Sequence, residues 1–215
     1  MASGIVSGVM FDWDGVLLDS LGASFNIYNK IFAKVGAKRL TKNEFLELQS
    51  PNWYEFYVKV GLPRALWKEV DEDWVKLYEL ERPSLHEDAL PCLTALKEVG
   101  LKLALVTNGS KARVVEELER LRARAFFESV LFGEKREELK PSPVMLRRTL
   151  DVLGLQPKEC VYVGDAPADT QAARNAGVPS IAIARGPIEV ERLGAERPDR
   201  IFRNLAEMTR FLVKR

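Results

Sequence analysis

Histidine occurs once, cysteine twice and glutamine three times among the 215 residues, and neither sign of charge is in excess. With 32 Lys+Arg against 31 Asp+Glu the formal net charge is +1, so no electrostatic pull toward nucleic acid or an anionic membrane exists and neither is expected as a partner. No apolar run approaches the roughly 18 residues needed to span a bilayer, and no basic segment precedes the apolar stretch that ends near Met10. The chain therefore reads as cytoplasmic. Cys92 and Cys160 match no zinc or redox spacing, which leaves a disulfide framework and a structural zinc site unsupported; both read as small apolar fillers. No internal repeat or low-complexity tract is visible. What is abundant is apolar surface, 47% of residues, enough for a packed interior and too much for a disordered chain.

The apolar residues fall into short runs. Ile5, Val6, Val9, Met10 and Phe11 form one that stops at Asp12; Leu101–Val106, Ser129–Phe132, Cys160–Val163 and Ser180–Ala184 repeat the pattern, and Asp199–Phe202 adds a short last strand. Gly100, Gly154 and Gly177 each close a helical stretch shortly before a strand, where glycine takes the left-handed conformation that ends a helix. Strands alternating with helices of 10 to 15 residues predict an α/β fold, a Rossmann-like parallel sheet covered on both faces, with its site at the carboxyl ends of the strands. A closing helix starts at Asn204, with Glu207 placed for a capping box. About 70 residues between the first two strands break the alternation: they carry helical periodicity, Gly36 ends one helix, and Thr41 with Glu44 makes a capping box for the next. This predicts an inserted all-helical cap over 18–87 and an α/β core built from 1–17 and 88–215. Trp53, Trp67 and Trp74 lie in the insert and read as its core. Ser20 reads as the cap of the first insert helix. His86 reads as exposed and structural, and Lys59, Arg64 and Lys68 as a solvated face.

Four segments carry polar groups at or beyond strand ends. FDWDG puts Asp12 and Asp14 two positions apart, on one side of an extended backbone, where two carboxylates repel unless a cation or a proton intervenes. A hard metal such as magnesium, or one carboxylic acid held protonated, would satisfy the pair. VTNGS brings Thr107, Asn108 and free backbone N–H groups to the start of a helix, an arrangement that binds phosphate or caps the helix. LKP holds Lys140 before a proline, and VGDAPAD places Asp165 at a strand end with Asp169 four residues on. Together they assemble the acidic groups of Asp12, Asp14 and Asp165, with Asp169 close by, a hydroxyl and a permanent cation where ligands of an open parallel sheet sit.

The ordered set FDWDG, VTNG, LKP and VGDAPAD resembles the four motifs of the haloacid dehalogenase-like hydrolases, and the helical insert after the first resembles their phosphoglycolate phosphatase and β-phosphoglucomutase branch. The resemblance implies a magnesium-dependent phosphatase acting on a small phosphorylated metabolite through a phosphoaspartate. It assigns Asp12 as nucleophile and Asp14 as the acid for the leaving alcohol and base for water. Thr107 and the Asn108 backbone would hold the phosphoryl oxygens, and Lys140 would balance charge around Asp12. Magnesium would be bound by Asp12, the Asp14 carbonyl and Asp165, with Asp169 a ligand through water or an orienting partner for Lys140. Valine at 16 and Ala166-Pro167-Ala168 depart from the commoner threonine and serine; the latter removes a side chain that could support the metal. A sugar phosphomutase would use the same phosphoaspartate. A non-catalytic phosphate-binding module would have no need of the intact set, and the second aspartate argues against carbon–halogen cleavage.

Overall fold

The computed structural model describes residues 6–48 and 53–214, so Ile5 and the side chain of Trp53 lie outside the described residues. The chain divides into two compact units, Met1–Leu18 with Leu85–Arg215, and Asp19–Ser84.

The larger unit is a six-stranded sheet, with β1 (Gly8–Phe11), β2 (Lys102–Thr107), β3 (Ser129–Phe132), β4 (Cys160–Gly164), β5 (Ser180–Ile183) and β6 (Arg200–Phe202) in the order β3-β2-β1-β4-β5-β6. Every pairing is parallel. Chain order runs outward from β1 in one direction to β3 and then restarts on its other side at β4, which makes the β1/β4 boundary the switch point where a crevice opens at the carboxyl ends. Alternation along each strand sorts the side chains. Val9, Phe11, Leu103, Leu105, Val161 and Val163 pack on one face against α5 (Ala89–Glu98), α6 (Lys111–Arg120) and α10 (Leu205–Val213). Met10, Ala104, Val106 and Tyr162 pack on the other against α7 (Val144–Leu153) and α8 (Pro167–Ala176). The helix α9 (Pro187–Ala195) completes the unit beside β6. Gly100, Gly154 and Gly177 all have positive φ, as helix-terminating glycines require. Cys92 and Cys160 are buried, free thiols.

The smaller unit contains α1 (Ser20–Lys34), α2 (Lys42–Leu48), α3 (Trp53–Lys59) and α4 (Trp67–Glu81). Ile27, Ile31, Phe32, Phe45, Phe56, Tyr57 and Val70 form its core, with Trp67 and Trp74 packed against it. The capping box is formed: the Thr41 N–H donates to Glu44 Oε2 at 2.8 Å and the Glu44 N–H to Thr41 Oγ1 at 3.2 Å. Lys59, Arg64 and Lys68 are exposed.

Three local expectations need correction. Asp19, not Ser20, occupies the N-cap of α1, because the helix begins one residue earlier than expected and the serine lies inside its first turn. At α10 the Glu207 N–H donates to Asn204 Oδ1 at 2.8 Å, but the Glu207 carboxylate accepts from Arg203, so only half of the box forms. His86 is half-buried, because its N–H donates to the Leu17 carbonyl at 2.9 Å and draws the residue into the core unit. Among the described residues no helix is long and apolar enough to cross a membrane.

Candidate active site

The three adjacent strands β2, β1 and β4 at the switch point each deliver a polar group as the ladder ends. Asp12 follows β1 directly, its N–H donating to the Val163 carbonyl at 2.8 Å, and its side chain is buried. Thr107 ends β2, and Asp165 follows β4. Gly15 keeps the floor open: its φ is +75°, and a Cβ there would collide with the Asp165 carboxylate.

Lys140 reaches this point from the loop before α7 and is 6% exposed. Asn108 holds its backbone, Oδ1 accepting from the Lys140 N–H at 2.9 Å and Nδ2 donating to the Lys140 carbonyl at 3.4 Å. Lys140 Nζ donates to Asp169 Oδ1 at 2.7 Å and to the Tyr162 hydroxyl at 2.9 Å. It also lies 2.8 Å from Asp12 Oδ1, an ion pair whose approach falls outside hydrogen-bond geometry. Asp169, in the first turn of α8, uses its other oxygen to accept the N–H groups of Asp165 at 3.1 Å and Ala166 at 2.9 Å, so the α8 terminus fixes it. The Thr107 hydroxyl oxygen accepts from the Gly109 N–H at 2.9 Å, which leaves its proton to donate.

The electrostatics are those of an anionic pocket. Asp12, Asp165 and Asp169 each place a carboxylate oxygen within 4.8 Å of the others. Burial pushes Asp12 up to about 7 despite the opposing Lys140 charge, and burial with the neighbouring Asp169 and Asp12 charges holds Asp165 well above the usual carboxylate range. Burial pulls the Lys140 ammonium down, but the Asp12 and Asp169 charges more than reverse it, and the ammonium is held above its ordinary value. The Lys140 ammonium, with the Arg192 guanidinium beside Asp165, thus faces three clustered carboxylates. A hard divalent cation would offset the repulsion among these carboxylates and favour their charged forms, and an all-oxygen donor set fits magnesium.

Asp14 takes a different partner from Asp12. The strand ends at Phe11, so extended alternation does not carry the two carboxylates to one place; Asp14 instead receives both terminal nitrogens of Arg113, with Nη1 at 3.0 Å from Oδ1. Arg113 Nη1 also lies 3.1 Å from both oxygens of Glu117, and Glu117 Oε2 accepts from Trp13 Nε1 at 2.7 Å. Arg113, Glu117, Trp13, Tyr162 and the clasping Asn108 side chain were not legible as site residues in the sequence. The signal nearest to one was the i,i+4 pairing of Arg113 and Glu117 on α6.

Comparison with known proteins agrees with this fold. The haloacid dehalogenase-like hydrolase family matches residues 9–183. The phosphoglycolate phosphatase of Aquifex aeolicus is 30% identical over 203 residues, 89% of each chain, and the N-acylneuraminate-9-phosphatase of Rattus norvegicus is 30% identical over 200 residues, 80% of each. A haloacid dehalogenase-like family hydrolase of Streptococcus pneumoniae shares the fold with a TM-score of 0.81 at 20% identity, over 96% of this chain and 98% of that one. With its motifs converging at the switch point of such a sheet, the chain belongs to the haloacid dehalogenase-like hydrolases, among relatives of the phosphoglycolate phosphatase type.

Proposed function

We propose that the chain is a magnesium-dependent phosphatase that hydrolyses a small phosphorylated metabolite through a phosphoaspartate at Asp12. The observation that carries this reading is the cluster of buried Asp12 and Asp169 and half-buried Asp165 around Lys140 at the sheet's switch point, in a chain whose relatives include phosphoglycolate and N-acylneuraminate-9-phosphate phosphatases. Asp12 and Asp165, with the Asp14 carbonyl, would hold magnesium, which when bound supplies the positive charge that lets a phosphate dianion approach a carboxylate.

The chain's own residues account for the rest. Lys140 and the Thr107 hydroxyl, with the backbone N–H of Asn108, stabilise charge on the equatorial phosphoryl oxygens. An Asp12 oxygen forms the new bond to phosphorus as the bond to the leaving oxygen breaks, and Asp14 delivers the proton that makes the leaving group an alcohol. Water then attacks the phosphorus of the acyl phosphate, Asp14 takes its proton, and inorganic phosphate departs with Asp12 restored. Asp14 must leave Arg113 to do this, because a carboxylate that accepts two guanidinium N–H bonds has no proton to give. The helical unit Asp19–Ser84 follows the first motif directly and acts as the cap that selects the leaving group.

Phosphate release from a panel of phosphate esters, including phosphoglycolate and hexose 1-phosphates, tests the reading. Magnesium-dependent release that EDTA abolishes is expected; release indifferent to EDTA, or none from any ester, overturns it.

A further inference from the structure

Among the described residues Lys140 Nζ has three oxygen neighbours: Asp169 at 2.7 Å, which accepts a hydrogen bond, Asp12 at 2.8 Å, an ion pair outside hydrogen-bond geometry, and the Tyr162 hydroxyl at 2.9 Å, which also accepts. Two of these are anions that compete for the same cation. The third is neutral, and it is the only one anchored to the strand that carries Thr107. Tyr162 lies in the middle of β4, on the face packed by α7 and α8, and its hydroxyl lies 3.0 Å from the Val106 carbonyl, one residue before Thr107. It also lies 3.2 Å from Asp169 Oδ1, which already accepts from Lys140. A phenol has one proton, and the shorter contact sends it to Val106, so the hydroxyl's lone pairs face Lys140.

We infer that Tyr162 is a positioning residue for the Lys140 ammonium. Its hydroxyl fixes the ammonium relative to the end of β2 and keeps it from sliding toward either Asp12 or Asp169. The sequence hides this role, because a tyrosine in an apolar strand reads as core. The inference rests on the phosphatase reading only for its kinetic consequence.

Tyr162→Phe is the discriminating variant, since it keeps the ring, whose centroid is 5.6 Å from Nζ, and deletes the hydroxyl alone. Losing a hydrogen bond to a charged group predicts that kcat for p-nitrophenyl phosphate with magnesium falls roughly tenfold while KM stays within about threefold. In a Lys140→Met background the same change should cost less than about twofold, because a residue that acts through Lys140 has nothing left to act on. A second readout needs no turnover: in protein labelled with 15N-lysine, the buried Lys140 ammonium should exchange its protons slowly in the parent and measurably faster in Tyr162→Phe. Unchanged kcat, an equal loss in the Lys140→Met background, or ammonium exchange that Tyr162→Phe leaves unaltered each overturns the inference. If the parent releases phosphate from no ester the phosphatase reading fails, and ammonium exchange still decides the role of Tyr162.

Discussion

Glu117→Leu is the perturbation whose cost follows most directly from the packing. Glu117 is 1% exposed and lies between two donors, Trp13 Nε1 at 2.7 Å and Arg113 Nη1 at 3.1 Å. Leucine fills a similar volume and removes both acceptor oxygens. Trp13 is wholly buried, so its N–H loses its acceptor at a cost of about 1–3 kcal/mol. Arg113 is partly exposed and keeps Asp14, so its loss is discounted for solvent to about 1 kcal/mol. Together these give about 2–4 kcal/mol, which in a chain of this size lowers Tm by about 4–16 °C. Glu117→Gln retains a carbonyl acceptor for Trp13 and should cost less than half as much. Thermal unfolding by circular dichroism, with urea titration of both variants, makes the measurement. A loss below about 1 kcal/mol for Glu117→Leu, or equal losses for the two variants, would refute the reasoning that the buried tryptophan N–H dominates.

Lys140→Met should lower kcat by about 10²–10³, the usual effect of removing one preorganised electrostatic contact, and an unchanged rate would remove Lys140 from the site. Gly15→Ala should sharply reduce both stability and turnover, since it combines a side chain at positive φ with a collision against Asp165; a variant that unfolds and turns over like the parent contradicts the close approach. Saturating magnesium should raise Tm in the parent through binding to the folded state, and this rise should disappear in Asp165→Asn; persistence of the full rise would place the cation elsewhere.

Most of the architecture was legible because it is written in local patterns. The strand ends at Asp12, Thr107 and Asp165 follow from apolar runs that stop abruptly, and the positive φ of Gly100, Gly154 and Gly177 follows from where a helix must end before a strand. What stayed hidden depends on partners far apart in sequence. Nothing near Asp14 announces Arg113, 99 residues on, and nothing in the β4 run distinguishes the tyrosine at 162 from a core aromatic until Lys140, 22 residues earlier, is brought against its hydroxyl. The half-formed box at Asn204 shows the same limit at short range, because the spacing permitted a bond that the Glu207 carboxylate instead makes with Arg203. Asn108 is instructive in another way. The family resemblance assigns a role to its backbone, while its side chain clasps both backbone polar groups of Lys140 and so ties two motifs together.

The covalent intermediate is the most direct test of the account. The protein is mixed with magnesium and a phosphate ester that it turns over, quenched during the steady state, and treated with borohydride, which reduces an aspartyl phosphate to homoserine. Peptide mass spectrometry should then find homoserine at position 12, and at no other aspartate of the cluster. Turnover that continues while Asp12 stays unmodified, or modification at Asp14, Asp165 or Asp169 in its place, would contradict the assignment of Asp12 as the nucleophile.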